Sequence, residues 1–132
     1  MATKVTELYG SESFARVDGM HIVDKHNVKF ATGSGTLPKG TAVARNTVND
    51  NWVQWVNNGT NGTGTIRGFA AEDITLDATD NVYGYVMFKG EVNFSDIVIA
   101  GGTEAQLKVA LLEGDPNLRE NNIIVTGLEG AY

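Results

Sequence analysis

The segment NVYGYVMFKGEVNF, residues 81–94, restricts the fold more than any other part of the chain. Along it, one parity carries Val82, Val86, Phe88, Val92 and Phe94. The other parity carries Tyr83, Tyr85, Lys89, Glu91 and Asn93. Because successive side chains of a strand point to opposite faces, this pattern predicts one long strand with an apolar face and a more polar face. Gly84 and Gly90 fall on the apolar face, where we expect a bend or the close approach of another backbone.

The rest of the chain reads mainly as short strands separated by turn residues. MHIV and NVKFA are predicted as two strands separated by residues 24–26. Residues 41–48 and 52–56 are expected to form a hairpin, because Asn49, Asp50 and Asn51 between them are turn formers. Residues 65–70 and the late run NIIVTG add two more strands. The predicted fold is therefore mainly β.

TEAQLKVALLEG, residues 103–114, is the best helix signal. Thr103 and Gln106 have the spacing of a capping box. Leu107, Ala110 and Leu111 fall on one helical face. Gly114 is expected to end this helix, and residues 115–116 are expected to begin a separate short turn of helix. We thus expect one or two short helices near the C-terminus.

The chain has 132 residues, no cysteine and a formal net charge of −6. This length predicts one β-rich domain, which we place at residues 19–132, after an N-terminal arm at residues 1–18. The negative charge disfavours binding to nucleic acid or to anionic membranes. The sequence contains neither an apolar run of about 20 residues, as a membrane helix needs, nor a secretory signal segment. We expect folding in a cytoplasm.

The run NNGTNGTGTIRG, residues 57–68, resembles a phosphate-binding loop only superficially. Its glycines at 62, 64 and 68 miss the dinucleotide spacing, and the segment that follows reads as a strand instead of a helix. We interpret the run as an exposed spacer between two strands. On that interpretation, shortening residues 57–62 to a two-residue turn would leave folding nearly intact.

The candidate catalytic and metal-binding residues form no recognisable motif. His21 and His26 are five residues apart, which does not place them on one face, and surface histidines are favoured over a metal site. The acidic residues Glu72, Asp73, Asp77 and Asp80 lack the spacing of a calcium loop. No serine lies in a nucleophile-elbow motif. We therefore expect no catalytic, cofactor-binding or metal-binding residues and no enzymatic activity.

Five stretches in this order resemble the lambda-type head decoration proteins of tailed bacteriophages. They are LPKGTAVARN, VQWVNNG, GTIRGFAAEDITL, YGYVMFKGEVNF and NIIVTG, and they cover about three quarters of the chain, from residue 36 onward. The first 35 residues depart from the best-known member of that family, whose arm is rich in proline, alanine and threonine.

The resemblance implies a fold of the β-clip type, a small barrel or bent ribbon. It also implies a homotrimer on the outside of the expanded phage head, at three-fold and pseudo-three-fold positions. There the trimers bridge subunits of the major capsid protein and resist the pressure of packaged DNA. The protein would then be found on the outer capsid surface of a virion assembled in the host cytoplasm. By position, the capsid-binding arm would comprise Thr3, Lys4, Val5, Thr6, Glu7, Leu8 and Tyr9.

The residues themselves leave several alternatives open. KVTELY can add as a strand to a sheet edge, or it can be a tail or an intramolecular strand. The large aromatic residues Trp52, Trp55, Tyr83 and Tyr85 are candidates for the trimer interface, and equally for a small core. Other structural β domains of a virion, from a fibre or a baseplate, have a similar composition. A small-ligand or carbohydrate-binding β module would use its aromatic residues to line a groove.

Overall fold

The computed structural model describes residues 20–120 and 122–128. The fold is mainly β, as expected. Its strands are β1 (Met20–Phe30), β2 (Thr36–Leu37), β3 (Ala42–Arg45), β4 (Trp52–Gln54), β5 (Gly68–Ala70), β6 (Ile74–Thr75), β7 (Val82–Asn93) and β8 (Ile123–Thr126). A 3₁₀ turn at Phe94–Asp96 follows β7, and the described part contains one α-helix, α1 (Glu104–Glu120).

Five strands close into a small barrel. β1 pairs with β7, β7 with β5, β5 with β3 and β3 with β4, and all these pairs are antiparallel. The ring closes where β4 runs parallel to the end of β1, through the pair Phe30 and Trp52. β8 extends the sheet beyond the ring as a parallel neighbour of β7, while β2 and β6 form a separate two-stranded sheet. A small barrel is one of the two forms, barrel or bent ribbon, that the resemblance implied.

The long alternating segment forms β7, which pairs with β1 along almost its whole length. The two glycines on its apolar face, Gly84 and Gly90, allow neighbouring atoms to approach the backbone of β7 closely. A Cβ at Gly84 would lie 2.7 Å from the side chain of Ile74, and Gly90, at φ 149°, lies against the backbone carbonyl of His21. The sequence predicted two strands within residues 20–31, and this prediction is wrong. β1 is continuous, with register irregularities between Ile22 and Lys25.

The core consists of two apolar clusters that meet at β7. Met87 and Val92 belong to the cluster that contains Trp55 and the buried face of α1. Val86 belongs to the other cluster, which contains Phe30. Adjacent residues of one strand point to opposite faces, so β7 is covered on both sides at this point. This explains why Met87 is fully buried although it lies on the same parity as Tyr85 and Lys89, which are exposed.

The start of α1 agrees with its sequence signal, but the predicted end is wrong. Gln106 N donates to Thr103 Oγ1 at 3.2 Å, and Thr103 N donates to Gln106 Oε1 at 2.9 Å, which is the reciprocal capping box. The helix then continues past Gly114 to Glu120 as a single element. Leu118 supplies the reason: it extends the apolar stripe of the helix and is fully buried in the core next to β8. This packing offsets the helix cost of glycine and proline, which is about 1 and 3 kcal/mol per residue.

The hairpin predicted around residues 49–51 is present, with Val43 opposite Gln54 and Arg45 opposite Trp52. Asp50 takes a positive φ of 62°, a conformation that aspartate and asparagine tolerate in turns. Its carboxylate accepts a hydrogen bond from Arg45 Nη1 at 2.5 Å, which links the turn to the strand before it.

The Asn/Gly/Thr-rich loop, residues 57–64, forms hydrogen bonds with the core and with a neighbouring hairpin, so it is more than a spacer. The Trp55 indole Nε1 donates to the Gly64 carbonyl at 3.0 Å, and Val56 N donates to the Thr63 carbonyl at 3.1 Å. Thr47 N in the neighbouring hairpin donates to the Asn61 carbonyl at 2.8 Å. Although parts of the loop are exposed, its backbone completes hydrogen bonds of buried and neighbouring groups. The bond to the Asn61 carbonyl, and the positions of Thr63 and Gly64 that depend on the loop, argue against the expectation that residues 57–62 are dispensable.

We predict that replacing residues 57–62 with a two-residue turn lowers the free energy of unfolding by about 2–4 kcal/mol, because several hydrogen bonds worth about 1 kcal/mol each are lost. Urea denaturation followed by tryptophan fluorescence measures this change. The substitution Trp55→Phe removes the indole donor of the Gly64 bond and also part of a fully buried ring, so a cavity adds to the lost hydrogen bond. It should cost about 1–3 kcal/mol. A shortened loop with wild-type stability would contradict the prediction.

Candidate functional site

The histidines do not form a metal site in the structure. His26 Nε2 lies 3.2 Å from Asp24 Oδ2, and the His26 ring packs against the Phe88 ring with centroids 4.5 Å apart. Within residues 20–120 and 122–128, no group of three or more His, Cys, Asp or Glu side chains is arranged to hold a metal ion. The position of the exposed His26 ring is therefore set by its contacts with the Asp24 carboxylate and the Phe88 ring.

Three acidic side chains within residues 72–80 accept hydrogen bonds from backbone N–H groups. Asp73 Oδ1 accepts a hydrogen bond from Lys39 N at 2.8 Å, and Glu72 Oε2 accepts one from Tyr85 N at 3.3 Å. Asp77 Oδ2 accepts two, from Asp80 N at 2.7 Å and from Thr79 N at 3.0 Å. These contacts give the acidic residues a local structural role at the ends of β-elements and in turns.

The Asp77 carboxylate is stabilised in its charged form. The backbone N–H of Asp80, and then that of Thr79, lowers the pKa of Asp77 below its ordinary value of 3.8. Hydrogen bonds donated to a carboxylate favour the ionised state. The exposed loop that follows β6 is thus held together by a group that loses its negative charge only in acid.

The four aromatic residues proposed for the trimer interface separate into two pairs. Trp52 and Trp55 are only 8% and 1% exposed, so their rings fill the core of the protomer. Tyr83 and Tyr85 are 64% and 38% exposed, on the outer face of β7. The structure therefore leaves the tyrosines, and not the tryptophans, available to a partner.

The exposed tyrosines belong to a continuous surface on two paired strands, which we call the tyrosine face: Tyr83, Tyr85, Lys25, Asn27 and Lys29. Tyr83 lies opposite Lys29, and Tyr85 lies opposite Asn27. Lys25 Nζ lies 4.8 Å from the centroid of the Tyr85 ring, within the range of a cation–π contact. This surface combines aromatic area with positive charge, in a protein whose net charge is negative.

A cleft of about 410 Å³ opens where β1 and β4 separate beyond their single pair. Val28, Arg45, Trp52, Arg67 and Phe88 line this cleft. The rings of Trp52 and Phe88 lie with centroids 5.5 Å apart at its base. The sequence analysis did not single out Arg45, Arg67 or Phe88 as a group. No local pattern could have done so, because the pairing of distant strands brings them together.

A second, more open groove of about 650 Å³ lies between α1 and the Asn/Gly/Thr-rich loop. Asn57, Asn58, Gln106 and Glu113 contribute polar side chains to it. Trp55 also borders the groove, but its ring is almost completely buried. The groove therefore offers hydrogen-bonding groups without an exposed aromatic ring on which a sugar could stack.

The proposed capsid-binding arm, residues 3–9, lies outside the described residues. No helix in the described part of the chain is long and apolar enough to cross a lipid bilayer. No protein-family model matches the chain, and no curated protein sequence matches it.

The hydrogen bonds of Asp77 predict a pH dependence of stability. Since the pKa of Asp77 is lower in the folded protein than in the unfolded chain, its contribution is present above the unfolded pKa and is lost as the pH falls through the folded pKa. Thermal unfolding between about pH 5 and pH 2 should therefore depend more steeply on pH for the wild type than for Asp77→Asn. An NMR titration in which the Asp77 carboxyl protonates at or above 3.8 would contradict the assignment.

Proposed function

We propose that this protein is a non-enzymatic decoration protein of a tailed-phage head. It binds as a homotrimer to the outer surface of the expanded head, at three-fold and pseudo-three-fold sites. There it joins neighbouring subunits of the major capsid protein and stabilises the shell against the pressure of packaged DNA. Neither a cofactor nor nucleic acid takes part.

The observation that carries this proposal is the ordered series of five stretches that resemble such proteins. Each stretch contributes one or two strands to the fold: LPKGTAVARN contains β3, VQWVNNG contains most of β4, GTIRGFAAEDITL contains β5 and β6, YGYVMFKGEVNF contains most of β7, and NIIVTG contains β8. The resemblance therefore covers elements that are assembled around one barrel instead of being scattered over unrelated surface loops.

The tyrosine face supports a role in assembly. Aromatic residues are enriched at protein interfaces, where large rigid rings bury much area at little cost in conformational entropy. Tyr83 and Tyr85 are separated by one residue on the same face of a strand, so both rings project to the same side. We assign this surface to the contact between protomers of the trimer.

The N-terminal arm, Thr3–Tyr9, is assigned to the capsid contact. An extended segment that adds to the edge of a sheet gains affinity from main-chain hydrogen bonds. Ordering each residue costs about 1–2 kcal/mol, so one arm binds weakly. Three arms on one trimer raise the avidity by roughly 10²–10⁴ without any new type of contact.

The groove between α1 and the Asn/Gly/Thr-rich loop supports a second candidate, a small-ligand or carbohydrate-binding module. Its amide and carboxylate side chains suit a polar ligand. The buried position of Trp55 counts against sugar binding, because it removes the stacking surface. A glycan screen that detects binding in the absence of phage heads would favour this candidate over decoration.

We predict that the purified protein has a mass three times its chain mass of 14.1 kDa and binds undecorated expanded heads, but neither procapsids nor tails. Light scattering measures the mass, and electron microscopy of mixtures locates the protein on the heads. Replacing both Tyr83 and Tyr85 with serine should shift the mass toward the monomer, because the tyrosine face loses its aromatic area.

Val109→Ser serves as the control, since Val109 is a similarly exposed apolar residue on α1. This variant should keep the trimer mass and the binding to heads. A wild-type protein that remains monomeric and leaves expanded heads undecorated would overturn the proposed function. Binding to tails instead of heads would point to a fibre or baseplate protein.

A further inference from the structure

The outer edge of β1 is open among the described residues. β1 is paired with β7 on one side from Met20 to Phe30, whereas on its other side only Phe30 is paired, with β4. No described strand is paired with the outer edge of residues 20–27. An uncovered strand edge presents unpaired N–H and C=O groups and is a template for pairing with another segment.

The hydrogen bonds near the end of β1 identify which backbone groups point outward. Ala31 N donates to the Trp52 carbonyl at 3.0 Å, so Ala31 faces away from β7. Along an antiparallel strand, residues alternate between facing one neighbour and facing the other. Lys29, Asn27 and Lys25 therefore also direct their backbone groups away from β7. Lys29 lies beside β4, because the parallel pair of Phe30 with Trp52 is bonded through the backbone of Lys29 and Ala31, so Asn27 and Lys25 are the residues of this set on the open edge.

The pairing with β7 shows in which direction the backbone N–H and C=O groups at the start of β1 point. Gly90 N donates to the Asn122 carbonyl at 2.9 Å, on the side of β7 that is remote from β1. Ile22 lies opposite Gly90, so this pair exchanges no backbone hydrogen bonds, and Ile22 faces outward. By the same alternation Met20, the first residue of β1, also faces the open edge.

The sequence directly before β1 matches this geometry. Residues 18 and 19 are Asp-Gly, a preferred dipeptide for a two-residue hairpin turn. In such a hairpin the residue before the turn and the residue after it form backbone hydrogen bonds with each other. Backbone hydrogen bonds between Met20 and Val17 require the N–H and C=O groups of Met20 to point away from β7, as they do.

The side chains match as well. Met20 and Ile22 are half-buried and pack against the core cluster that contains Val92. A strand that returns from the turn at residues 18–19 places Val17 beside Met20 and Ala15 beside Ile22, so apolar residues meet on the inner face. Arg16 then lies beside His21 on the exposed face, where polar residues belong.

We propose that the chain folds back at Asp18–Gly19 and that residues preceding this turn add as an antiparallel strand to the open edge of β1. The seventeen residues before the turn are more than the eight edge residues, 20–27, that they would cover. The segment Thr3–Tyr9 then leads away at the Lys29 end of β1, beside the cleft that contains Arg67. The strand belongs to the isolated protein and forms whether or not the protein binds phage heads.

Amide hydrogen exchange and NMR on the full-length protein, without any partner, test this proposal. The outward amides of Ile22, Lys25 and Asn27 should exchange at least about tenfold more slowly than unpaired exposed amides. Cross-strand contacts should appear between residue 17 and Met20 and between residue 15 and Ile22. The β7-facing amides of β1 provide an internal reference, because they are protected with or without the added strand.

Gly19→Val should abolish the protection of the outward amides, because a β-branched residue disfavours the positive φ of the turn. Gly10→Val is the control, since it changes a glycine to the same residue away from the turn, and it should leave the protection unchanged. If Gly19→Val also lowers the protection of the β7-facing amides, the variant has disturbed the barrel itself. The proposal is then tested by the cross-strand contacts in the wild type alone, and their absence would overturn it.

Rapid exchange of the outward amides in the wild type would overturn the proposal, as would protection that survives Gly19→Val. A mixed sample of isotope-labelled and unlabelled chains distinguishes a strand from the same chain and a strand from a second copy. Contacts found only between different chains would show that the edge is covered by a second copy, and would also overturn the proposal.

Discussion

The pairing of β1 with β7 is the interaction on which the rest of the structure depends. It is the longest strand pair in the described part of the chain, and β7 also carries β5 and β8 on its other edge. The two core clusters meet on opposite faces of β7, at Val86 and Met87. Displacing β7 by one residue would therefore exchange the side chains of both clusters at once.

Gly90 restricts the register of this pairing, and Gly84 restricts the position of β7 relative to Ile74 of β6. At Gly84 the Ile74 side chain occupies the space that a Cβ would need, and at Gly90 the backbone of β1 does so. Each glycine allows close packing only at its own position, since a side chain there would separate β7 from its neighbour. The register thus depends on where side chains are missing as well as on where apolar ones are present.

The limited pairing of β1 with β4 explains the cleft that contains Arg45 and Arg67. β1 is held along its β7 edge but meets β4 through a single residue pair, after which the two strands diverge. Trp52 and Phe88 cover the base of the resulting gap, and Arg45 and Arg67 line it. A barrel with a longer β1–β4 pairing would fill this space with backbone hydrogen bonds instead.

The parts of the fold that follow from local pattern were predictable from the sequence. The alternation in β7, the turn at residues 49–51 and the capping box at Thr103 each depend on residues close together in the chain. The end of α1 was not predictable in this way, because burial of Leu118 against β8 outweighs the local stop signal at Gly114. The role of residues 57–64 was also missed, since it depends on the Trp55 indole and on a hairpin elsewhere in the sequence.

The candidate site was less predictable than the fold, for the same physical reason. Composition identified the large aromatic residues, but only tertiary packing decides that Trp55 is buried and Tyr83 is exposed. The two arginines of the cleft are distant in sequence and carry no motif. Interaction surfaces are built from residues on several strands, so a single strand pattern indicates which residues face outward without indicating which of them lie together.

An open strand edge has opposite consequences for a protein that assembles. It allows a partner strand to bind, and it also allows uncontrolled pairing between copies before assembly. If the segment before Asp18 covers the edge of β1, the protein separates these two requirements. The edge of β1 is then occupied by the same chain, while the residues beyond the added strand are connected to the barrel through that strand. A binding arm that starts from a fixed point on a rigid barrel searches a smaller volume than an arm with no such fixed point. On the proposed function, three such arms on one trimer would therefore reach adjacent capsid subunits at a higher effective concentration.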